Sequence, residues 1–206
     1  MGERLCPNCT HGIHILKPPV CPICGTMQKT EQICAKCSSN PPLYTALRSW
    51  GVYGGYLQEA IHHLKYKRDV ALGDRLASLM LGSFNEAQWK IDMVIPVPAG
   101  KSRKGERGYN QAALLARPIA LYHGLSYRPL GLRKNRDIRS QVGLSHKERL
   151  QNVDGAFVAN SAIVEGCSIL VIDDVTTSGA TLNACAKALK AAGTKAAYCL
   201  TLARAV

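Results

Sequence analysis

A chain of 206 residues can build one good core, or one core with a small appendage. No window approaches the run of about 20 apolar residues that a membrane helix needs, and the start, MGERLCPNC, lacks an apolar signal-peptide core. The reducing cytoplasm is therefore the expected location. The formal net charge of +12 is concentrated, because residues 101–149 hold twelve Lys or Arg against Glu106, Asp137 and Glu148. Such a basic stretch points to an anionic partner, a phosphate-rich small molecule or nucleic acid, with a solvated basic face as the plainer alternative.

The first 37 residues carry six of the nine cysteines, as the CxxC pairs Cys6/Cys9, Cys21/Cys24 and Cys34/Cys37. In a reducing compartment paired CxxC units read as metal ligands rather than disulfides. Nine residues separate Cys24 from Cys34, a spacing that lets two knuckles hold one zinc tetrahedrally. Gly25 suits the turn after the second thiolate. The preferred set is Cys21, Cys24, Cys34 and Cys37. Cys6, Cys9, Cys21 and Cys24 compete with it, and His11 or His14 could share a site. Cys167, Cys185 and Cys199 stand alone in apolar patterns and read as small buried residues.

Residues 1–43 cannot build their own core and form a Cys-rich zinc-binding unit, ended by the prolines of SSNPPLY. Residues 44–206 form the second domain. There LRSWGVY predicts a strand, and YLQEAIHHLKY and VALGDRLASLMLGSF carry apolar residues at helical spacing. DMVIPVP is a short buried strand, and NQAALLARPIALYHG a helix with a kink expected at Pro118. SILVI is a second buried strand, TLNACAKALKAAG a helix stopped by Gly193, and AAYCLTLARA a last strand. This alternation predicts an α/β fold with a mainly parallel, twisted, doubly wound sheet.

The run VIDDVTTSGAT places Asp173 and Asp174 at the end of a strand, with Thr176, Thr177, Ser178, Gly179 and Thr181 in the loop entering a helix. A helix start offers free N–H groups and a positive dipole end to phosphate. The acids suit sugar hydroxyls, as acidic residues do in dinucleotide folds. One ligand, a ribose 5-phosphate, accounts for both halves. An acid-rich helix cap is the plainer alternative.

This run closely resembles the phosphoribosyl-diphosphate signature of the type I phosphoribosyltransferases. With VIPVP, RKGERGYNQ, SQVGLSHKERLQNVDGAF and the upstream CxxC pairs, the chain resembles the ComF-type competence proteins over essentially its whole length. The resemblance implies the type I phosphoribosyltransferase fold with an N-terminal zinc ribbon. It implies Asp173 and Asp174 as ribose ligands, the loop residues as 5-phosphate cradle, and Arg103 and Arg107 beside the diphosphate, with Mg²⁺ arriving on its oxygens. Lys101 and Lys104 flank those arginines. Arg136, Arg139 and Gln141, on the family's mobile loop, are the residues expected to stabilise the leaving group; Arg149 and Asn152 also match. The implied role is natural transformation, handling incoming single-stranded DNA, with other competence or DNA-processing proteins as partners. Tyr109, Tyr122 and Tyr127 are available for base stacking. A metabolic transferase acting on a nucleobase or amine, and a non-catalytic sensor of phosphoribosyl diphosphate, are the alternatives.

Overall fold

The computed structural model describes residues 10–100, 105–135, 153 and 155–205. A five-stranded sheet forms its centre, in the order β1 (Ala46–Val52), β7 (Ala196–Arg204), β6 (Ser168–Thr176), β2 (Met93–Pro96) and β3 (Ser126–Tyr127). Every neighbouring pair in it is parallel. Parallel strands need crossovers, and helices α2 (Gly55–Tyr66), α3 (Leu72–Ala87), α4 (Gln111–Tyr122) and α6 (Ala180–Ala191) supply them. A separate antiparallel pair, β4 (Leu132–Lys134) with β5 (Phe157–Ala159), precedes the short α5 (Ser161–Val164).

β6 explains why both faces are covered. Its side chains alternate, so Leu170 and Ile172 join Leu57, Ile61, Leu64, Leu76, Met80, Leu115 and Ile119 of α2, α3 and α4 in one core. Ile169 and Val171 join Leu182, Cys185 and Leu189 of α6, with Leu132 and Phe157 of the hairpin, in the other. A strand buried on both faces must be apolar throughout, which is what SILVI shows. The strand runs past SILVI to Thr176, so Asp173 and Asp174 lie within it and Thr176, expected in the loop, ends it. Their neighbour β7 continues alongside, with Thr176 opposite Arg204. Pro118 sits inside α4. Gly193, with φ 81°, follows α6 as expected of a helix stop.

The cysteine-bearing segment packs on the outer side of β1. Leu16 N–H donates to Trp50 O at 2.9 Å, Val52 N–H to His14 O at 2.8 Å and Leu47 N–H to Ile23 O at 2.7 Å. Arg48 adds a bond to Pro22 O at 3.0 Å. This strand edge is therefore occupied rather than left open to pairing with another chain. Within the segment, helix α1 (Ala35–Ser39) carries Cys37.

Candidate functional site at the carboxyl end of the sheet

Asp173 and Asp174 are both buried, and each carboxylate is turned along the strand. Asp173 Oδ1 accepts from Asp174 N–H at 2.9 Å, and Asp174 Oδ1 from Val175 N–H at 2.7 Å. Strand alternation sends them to different faces. The charge of Asp173 is felt by Cys185 and Cys199 beneath α6. On the other face, Lys65 of α2 places Nζ 2.9 Å from Asp174 Oδ2. Burial opposes the lysine's charge, but Asp174, with help from Asp173, holds Lys65 above the ordinary lysine range.

The loop that follows is the expected helix entry. Gly179 takes φ 80° as the residue before α6, a left-handed conformation that favours glycine. A Cβ there would also stand 3.2 Å from the Tyr44 hydroxyl. Ala180 N–H reaches Ser178 Oγ at 3.4 Å. Thr176 is buried at the strand end, and Thr177 and Thr181 flank the turn. All lie at the carboxyl end of β6, where open α/β sheets collect their ligands.

Arg107 comes from the connection after β2. Its guanidinium donates to Gln111 Oε1 at 2.9 Å and lies 4.9 Å from the centre of the Tyr66 ring. It is close enough to Lys65 for the two charges to oppose each other. Gly108 has φ 82°, and Asn110 caps α4 by accepting from Ala112 N–H at 3.1 Å. Lys101, Arg103, Lys104, Arg136, Arg139, Gln141, Arg149 and Asn152 lie outside the described residues. Of the three tyrosines, Tyr109 donates to Leu64 O, Tyr127 packs against the core and Tyr122 is exposed.

The sulfur atoms of Cys21, Cys24, Cys34 and Cys37 all lie within 4.8 Å of one another. Four thiolates about 2.3 Å from a tetrahedral zinc stand about 3.8 Å apart, and Cys24 Sγ and Cys34 Sγ are separated by 3.7 Å. Cys34 N–H points at Cys21 Sγ at 3.4 Å. Burial pushes the Cys21 thiol up, but the N–H groups of Cys34, Cys24 and Ile23 outweigh it and bring the value down to about 6. Burial and the neighbouring sulfurs push Cys37 up, a crowding that a divalent cation relieves. The donor set fits zinc in a closed site. His11 and His14 are not in this cluster, and Cys6 and Cys9 lie outside the described residues. Cys185 and Cys199 are fully buried among apolar neighbours, while Cys167 is partly exposed.

Residues 62–205 match the phosphoribosyl transferase domain. The chain belongs to the phosphoribosyl transferase family. Its long-range relatives include Competence protein ComFC of Bacillus subtilis, 29% identical across 91% of this chain and 78% of that protein. DNA utilization protein YhgH of Salmonella typhimurium is 28% identical across 95% and 89%. Competence protein F of Haemophilus influenzae is 28% identical across 97% and 96%. The similarity runs through the cysteine-rich segment as well as the phosphoribosyl transferase domain, as the ComF resemblance implies.

Several residues around this phosphoribosyl transferase loop are missed by sequence reasoning. Lys65 hides in HHLKYKRD, which reads as the basic last turn of a helix. Lys36, between the clustered Cys34 and Cys37, points its ammonium 3.5 Å from Ser178 O. Tyr44 and Asn183 meet beside Gly179, and Asn183 Oδ1 accepts from Leu43 N–H. Arg204, in the last strand, donates to Cys24 O and, at 3.4 Å, to Thr26 Oγ1. No spacing in the sequence signals this convergence. Only the alternation of β7 would have placed Arg204 at a strand end beside the loop.

Proposed function

We propose that the chain binds phosphoribosyl diphosphate with Mg²⁺ at the end of β6 and serves the uptake of DNA in natural transformation, handling incoming single strands in the cytoplasm. The observation that carries the sugar half is the run of two acids into a glycine-hinged helix start within a phosphoribosyl transferase domain. Asp173 and Asp174 take the ribose hydroxyls, and the groups of residues 176–181 take the 5-phosphate. Arg107, with Arg103, faces the diphosphate, to which Mg²⁺ comes bound. Arg136, Arg139 and Gln141 are assigned to the leaving group. The cysteine cluster holds a structural zinc. The DNA half is supported by the names of the relatives and by the basic stretch 101–149.

Calorimetry decides the sugar half: phosphoribosyl diphosphate with Mg²⁺ is expected to bind saturably, and Asp173→Asn/Asp174→Asn to weaken it at least about ten-fold. Repeating the titration with single-stranded DNA tests the coupling, and DNA affinity should fall steeply with salt. Unchanged sugar binding in the double variant would remove the acids from the site. Transfer of the phosphoribosyl group to a small acceptor is the second reading, which the phosphoribosyl transferase domain itself favours.

A further inference from the structure

The last turn of α2 carries a constellation that the binding of phosphoribosyl diphosphate does not need. Successive helix residues point about 100° apart, so Lys65 turns inward to Asp174 while Tyr66 turns outward and is 61% exposed. The ring is nonetheless held in place. The Arg107 guanidinium lies over it at 4.9 Å from its centre, and the His62 ring stands 4.9 Å away, tilted by 43°. A lone exposed tyrosine is ordinary, but one braced by a cation and a second ring is a preformed stacking surface.

The chain that follows is basic and ordered. Lys67 and Arg68 are exposed, and with His63, Asp69, Val70 and Ala71 they line an open groove of about 430 Å³. Asp69 is the one carboxylate in that lining. Arg68 takes φ 55°, a conformation few side-chain-bearing residues adopt. Backbone bonds fix the turn around it: Lys67 N–H donates to His63 O at 3.0 Å, Val70 N–H to Arg68 O at 2.9 Å and Gly73 N–H to Val70 O at 3.0 Å. Arg68 and Arg107 both stand near enough to Tyr109 for their charges to act on its phenol, so the groove and the braced ring belong to one surface.

We propose that Tyr66 and the Lys67–Arg68 groove form a docking surface for a single-stranded nucleic acid, with one unpaired base stacked on the ring and the adjoining phosphates on the two cations. It rests on the single-strand half of the proposed function and gives that half a place. A duplex keeps its base faces stacked on one another and offers none to a tyrosine. An acidic protein surface would engage the cations and leave the ring idle. Tyr109 spends its hydroxyl on Leu64 O and Tyr127 packs against the core, so Tyr66 is the stacking residue. Its neighbour Lys65 reaches Asp174, so a strand docked here runs past the sugar site.

Fluorescence anisotropy of the zinc-loaded full chain with short labelled oligothymidylate and oligouridylate tests this surface. Tyr66→Ala is expected to weaken binding about ten-fold, and Tyr66→Phe to keep the wild-type affinity. On an abasic strand of the same length Tyr66→Ala should change nothing, which separates stacking from a disturbance of Arg107. Lys67→Gln/Arg68→Gln should lower the slope of log affinity against log salt by about 1.4, at about 0.7 per phosphate contact of a single strand. A Tyr66 effect on either oligonucleotide supports the surface and names the sugar it accepts. Wild-type affinity in Tyr66→Ala, an equal loss on the abasic strand, a Tyr66→Phe as weak as Tyr66→Ala, or tighter binding of polyglutamate than of either strand overturns it. Failure of the underlying reading looks different: the wild-type chain then binds neither oligonucleotide even at low salt.

Discussion

Lys65 keeps its charge against the pull of burial through Asp174, 2.9 Å away, with Asp173 adding to it. Removing the cation by Lys65→Met leaves a buried, uncompensated acid, and should destabilise the chain by about 1–3 kcal/mol, less than a fully buried pair because the lysine is 20% exposed. Adding Asp174→Asn should recover part of that loss, and thermal melts of both variants read the coupling. The pH sign follows from the raised value. The lysine's contribution is fully present below its unfolded pKa of about 10.4, and is lost as pH climbs through the higher folded value. Melts from about pH 10 upward should show this alkaline loss in the wild type and not in Lys65→Met. The neighbouring acids were legible, because two carboxylates followed by hydroxyls and glycine exceed what a helix cap needs. Lys65 was not, because it reaches the site only through the packing of α2 on β6. No local pattern records a distance across two elements.

Among the elements, the turn after the second cysteine shows how a knuckle is locked to a sheet. Gly25 takes φ 69°, and a Cβ there would stand 2.4 Å from Leu47 O, a backbone atom of β1 that cannot swing away. Gly25→Ala should therefore destabilise by on the order of 3 kcal/mol in chemical denaturation, and lower the zinc retained per chain. The strands β2, β6 and β7 and the four long helices were readable from periodicity, since a strand covered on both faces has to be apolar and a one-faced helix has to be striped. The hairpin β4–β5 and the two residues of β3 were not, because so few positions carry no period. The extent of β6 was also hidden. Polar residues end an apolar run in the sequence, while the ladder to β7 continues through Thr176.

For the molecule as a whole, backbone hydrogen bonds to β1 and the Arg204 bond to Cys24 O tie the cysteine-bearing segment to the sheet, while the four clustered sulfurs all lie within that segment. Zinc removal should accordingly act in one region. A chelator is expected to open residues 10–43 to proteolysis while the amides of β6 and β7 keep their protection from hydrogen exchange. Loss of protection across β6 would show instead that the metal holds the entire fold. Metal analysis of the reduced chain should return one zinc, matching the four described sulfur ligands.

Arg204 and Cys24, joined by a hydrogen bond, stand 180 positions apart, and among the described residues β7 is the one strand paired with β1 in the sheet. At about 5–20 residues per second, a ribosome would release the knuckle roughly ten to forty seconds before the strand that braces it. Over that interval β1 is a naked edge, and the carbonyl of Cys24 faces water. Early capture of the metal would set the knuckle against the outer edge of β1 and leave one bare edge for pairing with neighbouring chains instead of two, so the zinc supply during translation, and not only at maturity, should influence how much of this protein reaches its folded form.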